Sequence, residues 1–194
     1  MIRTLRHLAR DTRGITVVEF GIVAPVFGVL LMGMMDIAHS AYTRSVLDGA
    51  VQAAARSASL QNGDAATVDA DIQAMIEKVA PGAVVATSRE SYFDFADIDR
   101  PESWNDADNS GVCDNGEEYV DENGSGMWEA DVGTNGNGGA SDVIIYTVTV
   151  TYERPFAMPI VPGPAQQTMS ASSIRKNQPF ALQQELSTTS GTCD

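Results

Sequence analysis

Two short segments near the middle of the chain carry the residue types of a cation site at matching spacings. The segment "DADNSGVCD" begins at Asp106, and the segment "DENGSGMWE" begins at Asp121. Oxygen ligands at positions 1, 3, 5 and 9 of a loop, with glycine at position 6, are typical of calcium loops of the EF-hand kind. The candidate ligands are Asp106, Asp108, Ser110, the Val112 carbonyl and Asp114 in the first loop, and Asp121, Asn123, Ser125 and Glu129 in the second loop.

The two loops differ at position 12, where an EF-hand loop has a bidentate carboxylate. The first loop has Glu117 there, whereas the second has Val132, with Asp131 one place early. We therefore predict that the first loop binds Ca²⁺ and leave coordination by the second open. The alternative is a solvated acidic loop, because no amphipathic helices flank the repeats. Residues 91–142 contain fourteen carboxylates and one basic residue, however, and such repulsion favours a neutralising cation.

A second group of residues with chemical significance lies at the start of the chain. A leader with four arginines ends at Gly14, and Ile15, Glu19 and Phe20 follow. Residues 15–35 contain a single charge, that of Glu19, and would form a helix about 32 Å long, which is enough to span a bilayer. An ionised carboxylate costs a few kcal/mol in such a segment, so Glu19 requires an explanation.

The order of these residues is that of a prepilin cleavage site, in which a glycine ends a basic leader and glutamate is fifth in the mature chain. With Pro25 inside the apolar helix, the chain resembles the TadE-like pseudopilins of the tight-adherence (Flp/Tad) pilus system. The resemblance implies that an aspartic prepilin peptidase cleaves between Gly14 and Ile15 on the cytoplasmic side. It also implies methylation of the new Ile15 amine.

The resemblance further implies a minor subunit that acts in pilus initiation or assembly. Its expected partners are the prepilin peptidase, other pilins and pseudopilins, the inner-membrane assembly platform and lipid. We expect one span of the bacterial inner membrane, with incorporation into the pilus left open. The basic leader favours a cytoplasmic N-terminus and a periplasmic or extracellular C-terminal domain.

Glu19 and Pro25 each have a physical role under this interpretation. Glu19 lies one helical turn beyond Ile15, so it can neutralise that amine or the amine of a neighbouring subunit. It can otherwise remain protonated or reach the headgroups. Proline is tolerated in membrane helices, and a kink at Pro25 would suit a subunit that leaves the bilayer. A cleaved secretory signal and a plain signal anchor are the other interpretations of the apolar segment.

The predicted fold class is α+β, of type IV pilin-like form. A long N-terminal transmembrane and stalk helix would pack on a small antiparallel sheet that carries an acidic loop insertion. A second helix is predicted over residues 65–79, and strands over 84–95, 143–152 and 167–176. The predicted organisation is a leader (1–14), the long helix (15–62), an extracytoplasmic domain (63–186) containing the acidic loop (97–142), and a flexible tail (187–194).

Charge and cysteine content limit the remaining classes of function. The formal net charge of −14 argues against nucleic acid as a partner. Cys113 and Cys193 are the only cysteines, and we expect either one disulfide or two free thiols. Both histidines precede residue 40, so no Ser/His/Asp arrangement is evident and we expect no enzyme. The alternative function is an uncleaved, membrane-anchored, calcium-binding surface receptor or adhesin.

Overall fold

The structure is a computed structural model that describes residues 15–58, 64–156, 164–179 and 181–194. These residues form a long helix, a short helix and two antiparallel sheets, which confirms the predicted α+β class. The helices are α1 (Ile15–Ala58) and α2 (Ala65–Glu77), and the strands are β1 (Val84–Tyr92), β2 (Glu118–Asp121), β3 (Thr134–Asn135), β4 (Val143–Glu153), β5 (Gln166–Lys176) and β6 (Thr189–Thr192).

The ends of several elements differ from the predicted ones. The described part of α1 ends at Ala58, and residues 59–63, where we predicted its end, lie outside the described residues. Helix α2 ends at Glu77 instead of residue 79. Strand β1 ends at Tyr92 instead of residue 95, because Asp94 caps a short 3-10 helix by accepting a hydrogen bond from the Phe95 N–H.

The chain divides into two compact units. One unit contains the chain up to Tyr42 together with Glu153–Gln167. The other unit contains Thr43–Tyr152 together with Thr168–Asp194. The second unit therefore contains the outer part of α1, all of α2 and both of the acidic segments.

The larger sheet has the strand order β3-β1-β4-β5, and the smaller sheet pairs β2 with β6. Strands β1 and β4 are antiparallel along the whole of β1, from Val84 opposite Thr151 to Tyr92 opposite Val143. The two-residue period of β4 buries every second side chain, since successive residues of a strand face opposite sides of a sheet.

The hydrophobic core of the second unit lies between the two helices and one face of the larger sheet. Helix α1 contributes Leu47 and Val51 at helical spacing, and α2 contributes Ile72 and Ile76, all nearly inaccessible to solvent. The sheet contributes side chains from β4 and β5, namely Tyr146, Val148, Val150, Tyr152, Met169 and Ala171. The predicted packing of the long helix on an antiparallel sheet is confirmed.

A polar network attaches α2 to the sheet. The Asp69 carboxylate accepts hydrogen bonds from Arg89 (2.5 and 3.0 Å), from the Tyr146 hydroxyl (2.6 Å) and from the Thr87 hydroxyl (3.1 Å). The Arg89 guanidinium also stacks 4.4 Å from the centre of the Tyr146 ring. Burial by itself would raise the pKa of Asp69, but the bonds from Arg89 and Tyr146 hold it below its ordinary value.

Because the folded pKa of Asp69 is depressed, its stabilising effect should be present above the unfolded pKa and disappear as the pH falls through the folded value. We expect Asp69→Asn to lower the free energy of unfolding by about 2 kcal/mol at neutral pH, since it removes the negative charge that pairs with the largely buried Arg89 guanidinium. Urea unfolding at neutral and acidic pH measures this effect. Asp71→Asn, an exposed position on the same helix, is the matched control, and an equal loss in the two variants would contradict the assignment.

Candidate functional site

The first part of α1 presents an apolar surface on all sides. Helix α1 is long and apolar enough to cross a membrane, and none of its most apolar window is buried. The exposed large side chains in this part include Val17, Val18, Phe20, Ile22, Val23, Val26, Phe27, Leu30, Met34, Met35 and Ile37. Apolar surface of this extent requires lipid or apolar partners, so we treat this part of α1 as a single-pass membrane anchor.

Glu19 is the single charged residue within this surface, and it lies on the first described turns of α1. Its side chain is exposed, as is that of Phe20 beside it. Ile15 begins the helix, whereas Gly14 and the leader lie outside the described residues. The helix continues through Pro25 without interruption. Glu19 is therefore available to pair with a cation at the start of α1.

Asp36 ends the apolar segment and is buried in an ion pair that spans 118 residues of sequence. Two nitrogens of the Arg154 guanidinium donate to its carboxylate, and the Asp36 side chain is only 8% exposed. The Arg154 backbone N–H donates to the Ala165 carbonyl at 2.9 Å. The pair therefore attaches the chain that follows β4 to α1 within the first unit. The sequence around Asp36 does not reveal this partner, because Arg154 is distant in the chain and belongs to no motif.

The first acidic loop brings three of its predicted ligands together. Carboxylate oxygens of Asp106, Asp108 and Glu117 lie within 4.8 Å of one another. The Asp106 carboxylate accepts from the backbone N–H groups of Ser110 (3.0 Å) and Gly111 (3.1 Å). Gly111 has a φ of +83°, a conformation that glycine adopts without strain. The loop thus turns sharply at position 6, as the motif requires.

The other predicted ligands of the first loop, and Glu117 as well, form hydrogen bonds within the loop. The Ser110 hydroxyl donates to the Val112 carbonyl at 2.9 Å, and one Asp114 oxygen accepts from the Asn115 amide at 2.8 Å. Glu117 is buried, and its carboxylate accepts from the backbone of Ala107 (2.6 Å) and of Asp114 (3.3 Å). Glu117 therefore closes the loop by joining positions 2 and 9.

The second loop repeats this backbone arrangement. The Asp121 carboxylate accepts from the N–H groups of Ser125 (3.0 Å) and Gly126 (2.9 Å), and Gly126 also has a φ of +83°. The Asn123 amide donates to Glu129 at 2.6 Å, and the Ser125 hydroxyl donates to the Met127 carbonyl at 3.0 Å. The contacts made by positions 1, 3 and 5 therefore recur fifteen residues apart. The bond from Asn123 to Glu129 has no counterpart in the first loop, where both positions are aspartates.

The second loop has no carboxylate of its own that acts as Glu117 does at position 12 of the first loop. Val132 is buried among Tyr92 and Val143, and Asp131 accepts from the Tyr92 hydroxyl at 2.8 Å. The fully buried carboxylate of Glu102 instead accepts from the N–H groups of Glu122 (2.8 Å) and Glu129 (3.2 Å). These are positions 2 and 9, the two positions that Glu117 joins in the first loop. Glu102 therefore closes the second loop from outside it.

Sequence reasoning missed Glu102 because it precedes the loop by nineteen residues and belongs to no motif. Burial raises the pKa of Glu102, although the backbone N–H groups of Glu122, Asn123 and Glu129 partly oppose the shift. A raised folded pKa means that the protonated group favours folding at low pH and that this effect is lost as the pH rises through the folded value. A nearby cation would remove that cost by favouring the ionised form.

Beside Glu102, Glu122 pairs with Arg100 through two short contacts of 3.0 and 2.6 Å. Hydrogen bonding to the Arg100 guanidinium lowers the pKa of Glu122 to about 2, against the opposing effect of burial. Glu122 is thus held ionised by Arg100, and we do not count it among the oxygens available to a metal.

The end of the chain is tied to the first loop. Cys193 forms a disulfide with Cys113, with a Cα–Cα distance of 5.7 Å, and β6 pairs with β2 from Glu118 opposite Thr192 to Asp121 opposite Thr189. Residues 187–194, which we predicted to be a flexible tail, therefore contain a paired strand and a disulfide. Strand pairing and a covalent bond order this polar segment. Its composition did not indicate this, because both partners lie far away in the sequence. Similarly, the acidic block is not a plain loop, since it contains β2 and β3.

The comparison with protein families concerns the apolar helix that carries Glu19. The family model described as TadE-like protein matches residues 14–56. This segment is TadE-like. No curated protein and no solved structure shows a significant match to the chain.

The TadE-like segment begins at the residue before α1 and ends shortly before α1 does. It implies a pilin-like protein that is associated with the Tad pilus and interacts with other pilus components. The two acidic loops lie outside the matched residues, so they are features of this chain that the family match does not describe.

Proposed function

We propose that the protein is a pseudopilin, a minor pilin-like subunit that acts in assembly or initiation of a Flp/Tad pilus. It is made as an inner-membrane precursor, and a prepilin peptidase cleaves it between Gly14 and Ile15. The observation that carries this proposal is the TadE-like match from residue 14, at the start of an exposed apolar helix with Glu19 on its first turns. The domain after the anchor would be exported, where a disulfide such as Cys113–Cys193 persists.

In this proposal, Glu19 acts during assembly by charge pairing. Cleavage creates a positively charged amine on Ile15, at the helix end where the first N–H groups already favour an anion. In a medium without water, an unpaired charge at either position is expensive, and each offsets the cost of the other. Pairing between the Glu19 of one subunit and the amine of a neighbour would set the depth of the incoming helix.

We expect Glu19→Ala to insert into the membrane normally and to reduce piliation by roughly tenfold or more, the effect of losing about 1.4 kcal/mol of pairing. Counting pili by electron microscopy in a strain that carries only the variant measures this effect, alongside immunoblots of the membrane fraction. Glu19→Asp retains the carboxylate and should restore a substantial part of the loss, whereas Glu19→Gln should not. Full piliation with Glu19→Ala would refute the role of the carboxylate, but not membership of the pilus system.

We also propose that the two acidic loops bind Ca²⁺ in the exported domain. The supporting observation is that the same contacts recur at corresponding positions of both loops, including a buried glutamate that joins positions 2 and 9 in each. Carboxylate, hydroxyl and carbonyl oxygens are the ligands that Ca²⁺ prefers, six to eight at a time. Mg²⁺ fits less well, because it holds its water and requires a tighter octahedron.

The alternative function is a permanently anchored calcium-binding receptor or adhesin. It would have the same helix, loops and disulfide, but it would retain residues 1–14. The mature N-terminus therefore separates the two functions, whatever the outcome for calcium.

A further inference from the structure

The connection between β4 and β5 meets the membrane anchor at the point where the apolar segment of α1 ends. Residues 15–35 are about 32 Å long as a helix, which matches the hydrocarbon thickness of a bilayer. Asp36 follows them directly and pairs with Arg154, the first residue after β4. The segment Glu153–Gln167 also belongs to the same compact unit as the anchor. Arg154 therefore lies at the level where the hydrocarbon layer ends.

Hydrogen bonds hold the two ends of this connection beside each other. The Arg154 backbone N–H donates to the Ala165 carbonyl at 2.9 Å, and the Arg154 guanidinium donates to the Pro164 carbonyl at 3.4 Å. The same guanidinium donates to the Asp36 carboxylate at 2.8 Å. Pro155, Pro164 and Ala165 are all exposed. Both ends of the connection are therefore fixed to α1 just past the apolar segment, with side chains open to the surroundings.

The composition of the connection is unusual for a segment in contact with water. Residues 155–165 contain no charged side chain and no hydroxyl, amide or imidazole group, although the net charge of the whole chain is −14. Of these residues, 157–163 lie outside the described part of the chain. An apolar segment of this length on a protein surface indicates a binding partner or a membrane.

The neighbouring surface of α1 indicates which of the two it is. Ile37, directly after Asp36, is 72% exposed, and Tyr42, about 9 Å beyond Asp36 along the helix, is 60% exposed. Tyrosine is enriched at the headgroup level of membranes, because its ring is apolar and its hydroxyl is polar. The exposed apolar surface of the anchor therefore continues to the level of Arg154, where the connection begins.

We propose that the connection between β4 and β5 rests on the lipid surface of the bilayer that α1 spans, and forms a second membrane contact. Its apolar composition suits the boundary between headgroups and acyl chains. The Asp36–Arg154 pair holds the connection at this depth, and the cost of a charge there is limited because each partner neutralises the other. The contact orients the domain on the membrane and does not depend on cleavage at Gly14.

A fluorescent label on Ala165 tests this contact in the full chain. Ala165→Cys is labelled with the environment-sensitive dye NBD, and the Cys113–Cys193 disulfide leaves the new thiol as the reactive one. The protein is reconstituted into vesicles of phosphatidylethanolamine and phosphatidylglycerol, with or without a lipid that carries a quenching spin label at its headgroup. The matched control is Ser172→Cys, also exposed and about 23 Å farther along the extended chain.

We expect the label on Ala165 to emit at shorter wavelength than the label on Ser172 and to lose its emission when the spin-labelled lipid is present, whereas the label on Ser172 keeps its emission. A label on Ala165 that is not quenched would overturn the proposal. If its emission were nevertheless at short wavelength, protein instead of lipid would cover the connection. Equal quenching of the two labels would also overturn the proposal, because the contact would not be specific to the connection.

The role of the ion pair is tested in the same vesicles. Asp36→Ala should reduce the quenching of the label on Ala165, because the connection loses its attachment to α1. The matched control is Asp48→Ala, at an exposed position on the same helix, which should leave the quenching unchanged. Circular dichroism checks that each variant is folded. Undiminished quenching in folded Asp36→Ala would overturn the role of the pair, and the two labels decide the membrane contact if this variant does not fold.

Discussion

Replacing Gly14 by Arg should leave the leader on every copy of the protein and abolish its contribution to pilus assembly. The resemblance of the Gly14 to Phe20 element to prepilin cleavage sites implies a peptidase that accepts glycine before the scissile bond. A long charged side chain at that position would obstruct the approach of the bond to the catalytic groups. The uncut leader would also keep four arginines attached to Ile15, so that the amine proposed to pair with Glu19 would never form.

The measurement is an immunoblot of membrane extracts, in which the variant should migrate above the parent protein by the mass of residues 1–14, together with pilus counts. Thr12→Arg is the matched control, since it adds the same charge to the leader two residues earlier and leaves Gly14 in place. Identical migration of parent and Gly14→Arg proteins would show that cleavage does not depend on this residue.

Calcium should raise the stability of the full chain in detergent by about 2.7 kcal/mol at a hundredfold excess over the dissociation constant, for each loop that binds. For a chain of this size the increase corresponds to a rise in melting temperature of roughly 5–11 °C. Extracellular calcium sites often have dissociation constants of about 10⁻⁴ to 10⁻³ M, so the effect should develop at millimolar concentrations. Thermal melts in EDTA and in calcium measure it.

The two loops can be tested separately by their closing glutamates. Glu117→Gln should remove the calcium-dependent increment of the first loop, and Glu102→Gln that of the second. Glu118→Gln is the matched control, because Glu118 is adjacent to Glu117 in sequence but exposed to solvent. Equal melting temperatures of the parent protein in EDTA and in calcium would contradict calcium binding and would leave both loops with a structural role alone.

Local patterns were sufficient to predict the elements that bury a continuous face. In the sequence, Leu47 and Val51 stand one helical turn apart, which indicates a helix face that packs on a domain, and the structure buries both. Apolar or aromatic residues alternate with threonine over residues 146–152, which indicates a strand, and these residues lie in β4. In each case the period of the apolar residues reflects the geometry of the element itself. The internal repeat likewise predicted two loops of similar form. The sharp turn depends on the glycine at position 6, which the sequence shows directly.

Contacts between residues far apart in sequence could not be predicted in this way. Arg154 contacts Asp36, and Glu102 closes the second loop, but neither residue stands at a spacing that identifies its partner. The tail was predicted to be flexible from its composition, yet β2 supplies a strand partner for β6. The Cys113–Cys193 disulfide is different, because two cysteines allow one pairing and it was one of the two expected outcomes. Such pairings depend on tertiary structure, which periodicity does not encode.

The most direct test of the proposed pseudopilin is the N-terminal residue of the protein in its native host. The protein is extracted from membranes of a strain with an intact prepilin peptidase, and its N-terminal peptide is identified by mass spectrometry. The account predicts that the chain begins at Ile15. A chain that begins at Met1 and retains residues 1–14 would contradict it and would favour the permanently anchored receptor or adhesin.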